Sequence, residues 1–181
     1  LNHSGQWYNR SWKENYQRPK LCSVNTYGFT PGYRPEDVIG IVRECFRKAD
    51  LWNYPLAIVV LDMPIAFDEM THEVLDISNN VMQVDINTRI ATLNDYHDKW
   101  VAIRIGHAGS TKPFRYSKGG WQGGVTTPDQ FNTMMRAALG EVIELWTILD
   151  VGFCVTSEVG HENRIHHLLR ADSITLLATS S

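Results

Sequence analysis

Two short apolar stretches constrain this chain more than anything else in it. Residues 56–62, LAIVVLD, are continuous and β-branched, the pattern of a buried central strand. Residues 164–179, RIHHLLRADSITLLAT, read as two short strands meeting at a turn, with Ala171-Asp172 at its tip. Each stretch has an aspartate where an apolar run stops. Asp62 closes the first and Asp172 interrupts the second.

The sequence around them is helical in period. Val38, Ile41, Val42, Cys45, Phe46 and Ala49 recur every three or four residues behind Pro35, Glu36 and Asp37, which suit a first helical turn. A second helical stretch grows out of MPIAFDEMTHEVLD, and Ile86, Ile90, Leu93 and His97 outline a third over 85–98. Thr127 as N-cap, Pro128 and Gln130 open a fourth, with a long apolar face from Phe131 to Trp146. WVAIRI (100–105) and FRYSK (114–118) suit a hairpin, and LDVGFCVT (149–156) a strand. Mixed elements with late hairpins predict an α+β fold, an antiparallel sheet packed on helices, rather than a wound parallel sheet. No repeat or linker divides the chain, so 27–181 is expected to be one body. Residues 1–26 are aromatic and basic; they read either as a partly ordered arm or as a surface for phosphates and bases.

Composition removes several classes. Cys22, Cys45 and Cys154 form no CxxC pair, against a disulfide framework or a cysteine zinc site. No apolar run approaches the roughly 20 residues of a membrane span, and no basic-then-apolar leader is present. The expectation is an intracellular protein without a membrane role, in which Asn9-Arg10-Ser11 matches the glycosylation pattern by chance. The formal net charge of −3 leans against nucleic acid unless local features override it.

Three groups of residues could carry chemistry. Asp62 alone is a helix cap and Asp172 alone a turn residue. Taken together, two carboxylates at strand ends could meet at one edge of a sheet, where a hard dication would relieve their repulsion. The glycines of GGWQGG (119–124) permit close backbone approach, or merely form a helix-entry loop. HENRIHH imitates the HExxH zinc pattern, but His161 and His166 are five apart rather than four, and His167 alternates with His166 along a strand.

These segments form an ordered set. VVLDMPIAFDEMTHEVL resembles the first catalytic motif of reverse transcriptases, particularly those of non-LTR retrotransposons and group II introns, with Asp62, Ala66, Phe67, Asp68, His72, Glu73 and Leu75 matching. GGWQGGVTTPDQFNTMM resembles their second motif at Gly119, Gln122, Gly123, Gly124, Pro128, Phe131 and Asn132. YGFTPGYRPEDVI is similar to the segment before the first motif, and RADSITLLATS to the third.

The resemblance implies a right-hand polymerase palm with part of the fingers, preceded by an arm or fingers remnant at 1–26. It implies RNA-directed DNA polymerase activity with an RNA template, a DNA primer and dNTP as partners. Asp62 and Asp172, with the Met63 backbone carbonyl, would hold Mg²⁺ or Mn²⁺. Phe67 would lie beneath the incoming sugar, and Gln122, Gly123 and Gly124 against nucleotide and template. The sequence departs from the family at Ser173, where a second aspartate is usual, at Arg170, where an aromatic is usual, and at Trp121, where a basic residue is common. The upstream Arg-Pro-Ile pattern is missing and the sequence stops just after the third motif. These departures argue against polymerisation by this chain. They raise an alternative: a degenerate, non-catalytic retroelement relic that binds nucleic acid weakly at most.

Overall fold

The computed structural model describes residues 25–97, 99–121, 123–155 and 164–179. Residues 1–24 of the arm, Cys22 among them, and Gln122 and His161 lie outside the described residues. The elements follow the order α1 (Pro35–Trp52), β1 (Leu56–Asp62), α2 (His72–Val81), α3 (Ile86–Tyr96), β2 (Trp100–Val101), β3 (Phe114–Arg115), α4 (Thr127–Ile148), β4 (Phe153–Cys154), β5 (Arg164–Ile165), β6 (His167–Arg170) and β7 (Ser173–Thr179). Among the described residues the strand pairs are antiparallel, in line with the expected α+β class. The chain divides into two compact units, one within 65–137 and the other from residues up to 64 together with those from 138 onward.

In the second unit, β1, β7 and β6 form a three-stranded sheet in that order. Helix α1 covers one face: Cys45 and Ala49 pack with Leu168 and Leu177 of the sheet and Phe153 of β4, and Val38, Ile41, Val42 and Ile58 close around them. Phe46 belongs to the predicted stripe but is 57% exposed, because the buried line runs through Cys45 and one residue further turns about 100° around the helix. The buried central strand expected at 56–62 is instead an edge. Among the described residues β1 pairs only with β7, and the core reaches only Leu56 and Ile58. Val59, Val60 and Leu61 are exposed in consequence. An apolar run reports strand formation but does not report how many neighbours the strand has.

The β6–β7 connection is a two-residue turn, because Arg170 pairs with Ser173. Its first residue, Ala171, has φ +52, a left-handed conformation that such hairpins usually give to glycine or asparagine. Ala171→Gly is therefore expected to stabilise the unit by about 0.5–1 kcal/mol in urea unfolding. A destabilised Gly variant would mean that the Ala171 methyl group contributes packing that outweighs the strain.

In the first unit, Met70, Leu75 and Tyr96 form a buried cluster with Tyr116, Trp121 and Met134 packed against it. Helix α3 exists where its period predicted, but it buries Thr88, Thr92 and Tyr96 and exposes Ile86 and Ile90. Asp85 caps it by accepting from the Asn87 and Thr88 N–H groups. The Thr92 hydroxyl donates to the Thr88 carbonyl at 2.7 Å, so threonine packs there as a small, satisfied side chain. Helix α4 starts at Thr127, one residue before the predicted start, and the Thr127 hydroxyl donates to the Trp121 carbonyl at 2.9 Å rather than accepting a capping bond. Its buried residues, Phe131 and Met135 among them, lie in its first half. Val142 and Leu145 of the predicted apolar face are exposed. No helix among the described residues is long and apolar enough to cross a membrane.

Candidate active site

The tight turn after β6 sets the register of everything beyond it. It makes Asp172 the second turn residue and starts β7 at Ser173, which stands opposite Asp62 at the end of β1. The Ser173 hydroxyl donates to Asp62 Oδ1 at 3.0 Å. One step further, the Met63 N–H donates to the Asp172 carbonyl at 3.1 Å. Asp62, Met63, Asp172 and Ser173 therefore lie together at one end of the sheet, and Asp62 is exposed there. The donors are all oxygens, the type that hard cations prefer. Among the described residues no group of three or more His, Cys, Asp or Glu side chains converges. The Ser173 hydroxyl engages one of the two Asp62 oxygens.

The hairpin tip is held from outside by the segment before α1. Thr26 bridges Leu169 in parallel sense. The Tyr27 N–H donates to the Leu169 carbonyl at 2.8 Å, and the Leu169 N–H donates to the Asn25 carbonyl at 2.9 Å. Gly28 then lies directly on the turn: a Cβ there would stand 2.1 Å from the Ala171 nitrogen. In the sequence this glycine stands out only as part of YGFTPGYRPEDVI; its contact with the turn is a tertiary one.

The glycine-rich loop belongs to the other unit. The Gly120 N–H donates to the Phe67 carbonyl at 2.8 Å and the Gly119 N–H to the Met70 carbonyl at 2.7 Å. These bonds tie the loop to the segment after Asp62. Phe67 packs on Phe131 with ring centroids 4.7 Å apart, so core packing accounts for at least part of its role. Trp121 stacks on Tyr116 at 4.8 Å, and Tyr116 donates to the Gly120 carbonyl at 3.0 Å. The indole thus anchors the loop. Gly123 is exposed with open space around its Cα, whereas a Cβ at Gly124 would stand 2.7 Å from Thr127 Oγ1. His72 touches the Gly119 carbonyl at 3.4 Å and packs on Tyr96; burial holds its pKa below the usual histidine range, partly offset by that contact. Burial raises the Tyr96 and Tyr116 hydroxyls, and the Tyr96 hydroxyl donates to Gln130 Oε1 at 2.6 Å. Tyr96, Tyr116 and Gln130 were not among the expected site residues. Their signal was weak, since Tyr96 lies off the Ile86–Ile90–Leu93 stripe.

The histidines differ from expectation. His166 and His167 do not alternate away from one another: their rings stack with centroids 4.7 Å apart and their Nδ1 atoms 2.6 Å apart. His166 lies in the break between β5 and β6, where the pleat that would separate neighbours is interrupted.

The architecture combines helices with small antiparallel sheets. Two solved structures share it. One is telomerase from Candida albicans in complex with a TWJ fragment of telomeric RNA, with a TM-score of 0.55 and 10% identity, covering 96% of this chain and 30% of that one. The other is apo telomerase from Candida tropicalis truncated from the C-terminal domain, with a TM-score of 0.54 and 11% identity, covering 98% of this chain and 33% of that one. This chain therefore spans about a third of each. At such identities the likeness speaks for the fold alone. No protein-family model and no curated protein matches the chain.

Proposed function

We propose that the chain is the palm and part of the fingers of an RNA-directed DNA polymerase of the non-LTR retrotransposon or group II intron type. The observation that carries this reading is the register that brings Asp62 and Asp172 to adjacent strand ends. Its partners would be an RNA template, a DNA primer and dNTP, a reading supported by the RNA in the Candida albicans telomerase structure. Asp62, Asp172 and the Met63 carbonyl would hold Mg²⁺ or Mn²⁺. Two carboxylates suit one such ion, whose remaining positions waters and substrate phosphates complete. When bound, the ion would supply charge neutralisation for attack of a primer 3′-hydroxyl on the α-phosphate of a dNTP. Phe67 would sit beneath the sugar, and Gln122, Gly123 and Gly124 against nucleotide and template.

Ser173→Asp tests the reading. Without metal, the new carboxylate opposes Asp62 across the strand pair, and stability is expected to fall by about 1 kcal/mol. Millimolar Mg²⁺ or Mn²⁺ should restore the melting temperature of the variant and move that of the parent much less. Primer extension on an RNA template should rise when the variant is fused to a thumb. If metal shifts neither protein, the strand ends do not bind a cation and the catalytic reading fails. The Ser173–Asp62 hydrogen bond favours a second reading, a non-catalytic retroelement relic that binds nucleic acid at most weakly. Metal binding by the Ser173→Asp variant without nucleotide incorporation would select it.

A further inference from the structure

Residues 99–118 carry Lys99, Arg104, Lys112, Arg115 and Lys118 and no Asp or Glu, in a chain of formal net charge −3. The segment folds back on itself well beyond the short strands β2 and β3. Trp100 pairs with Arg115 and Val101 with Phe114. Ile103 and Thr111 exchange hydrogen bonds, Arg104 bridges Ser110, and the Ile105 N–H donates to the Gly109 carbonyl at 2.8 Å. The result is a two-stranded ribbon about 20 Å long at ~3.4 Å per residue.

Residues directly opposite share a face. Trp100 and Arg115 therefore share one face of the ribbon, Val101 and Phe114 the other. Trp100 is 66% exposed and Phe114 44% exposed. At the ribbon's base the charge is answered, since Lys118 contacts Glu69 at 2.7 Å and Lys99 lies 3.9 Å from Asp95. Further along, Arg104 and Lys112 are exposed, and the ribbon itself carries no acid.

We infer that this ribbon is a platform for single-stranded nucleic acid. An exposed aromatic ring offers a stacking face to any base, and a neighbouring guanidinium or ammonium meets the phosphate that follows. The alternatives fit less well. A membrane surface takes one face of a ribbon, whereas aromatic rings here occupy both. An acidic protein would use the cations and leave the rings exposed. The inference names a contact surface for the nucleic acid of the proposed function and rests on that reading for the kind of ligand. Binding needs neither metal nor chemistry, so the two fail separately.

The test is fluorescence anisotropy of the whole chain with labelled oligo(U) and oligo(dT), in EDTA, over a range of salt. Trp100→Ala should weaken binding roughly 5- to 100-fold, the range that base–aromatic stacking commands, and Trp100→Phe should recover most of it. Arg104→Ala with Lys112→Ala should weaken binding and lower the salt slope by about 1.4, at ~0.7 per lost phosphate contact. Circular dichroism of each variant checks that the fold is kept. Affinity unchanged by both sets overturns the inference. So does tighter binding to a duplex of the same sequence, or an equal loss of affinity for phosphatidylserine vesicles. Failure of the Ser173→Asp experiment leaves this result standing, and failure here leaves the acidic strand ends untouched.

Discussion

Gly28→Ala is expected to cost about 3 kcal/mol of stability, at the upper end for an added methyl group. The new Cβ would stand 2.1 Å from the Ala171 nitrogen, 3.0 Å from its Cα and 3.0 Å from the Arg170 carbonyl carbon. All three atoms are backbone, so no rotamer change relieves the clash. Retreat of the Gly28 segment would break the paired bonds between Asn25, Tyr27 and Leu169. Retreat of the hairpin would pull Asp172 and Ser173 out of register with Asp62. The measurement is urea unfolding together with amide exchange at Tyr27 and Leu169, which should accelerate with the loss. Gly40→Ala supplies the opposite sign: it lies inside α1 with nothing within 4 Å of the added atom, and should gain up to about 1 kcal/mol. A Gly28→Ala protein as stable as the parent would show that this segment does not lie against the turn.

What could be read from the chain, and what could not, follows from which forces are local. The turn at Ala171-Asp172 and the strands beside it are local events, and their register brought Asp172 next to the end of β1 as the two interrupted apolar runs suggested. Burial is not local. LAIVVLD forms a strand, but its number of neighbours depends on the rest of the sheet, and Val59, Val60 and Leu61 are exposed. The same limit rotated α3: Ile86 and Ile90 set the helical period, while Thr88, Thr92 and Tyr96 hold the buried face, where the Thr92 hydroxyl bonds the Thr88 carbonyl and Tyr96 reaches Gln130. Trp121 looked like a departure from a binding motif. Its stacking on Tyr116 depends on a residue five positions earlier that the motif does not include. The acid-free run at 99–118 was visible in the sequence; what the fold adds is that its cations and aromatic rings share one ribbon.

Acidification is expected to weaken the second unit before ordinary carboxylates titrate, through the paired histidines at the start of β6. His167 is 1% exposed, its ring packs against Trp146 and His166, and its Nε2 finds no hydrogen-bond partner among the described residues. Burial, reinforced by His166, pushes the His167 pKa down to about 4, and burial lowers His166 as well. The unfolded chain binds a proton at His167 near its ordinary value of about 6.5, which the folded chain refuses until about 4. Between those values the unfolded state holds more protons, so stability rises with pH. The contribution is complete above about pH 6.5 and is lost as pH falls towards about 4. For His167 alone the loss between about pH 7 and about pH 5 is about 2 kcal/mol, a large share of a small domain's stability. Urea midpoints across that range measure it, and the upper part of the window separates histidine from carboxylates, which titrate near 4. His167→Gln cannot take up the proton, so its midpoint should be lower at neutral pH but nearly flat between about pH 5 and pH 7. His166→Asn should flatten the curve in part, because it removes one titrating ring and the partner that opposes charging of the other. A parent and a His167→Gln variant with parallel pH profiles would place the titrating group elsewhere and leave the stacked pair as packing alone.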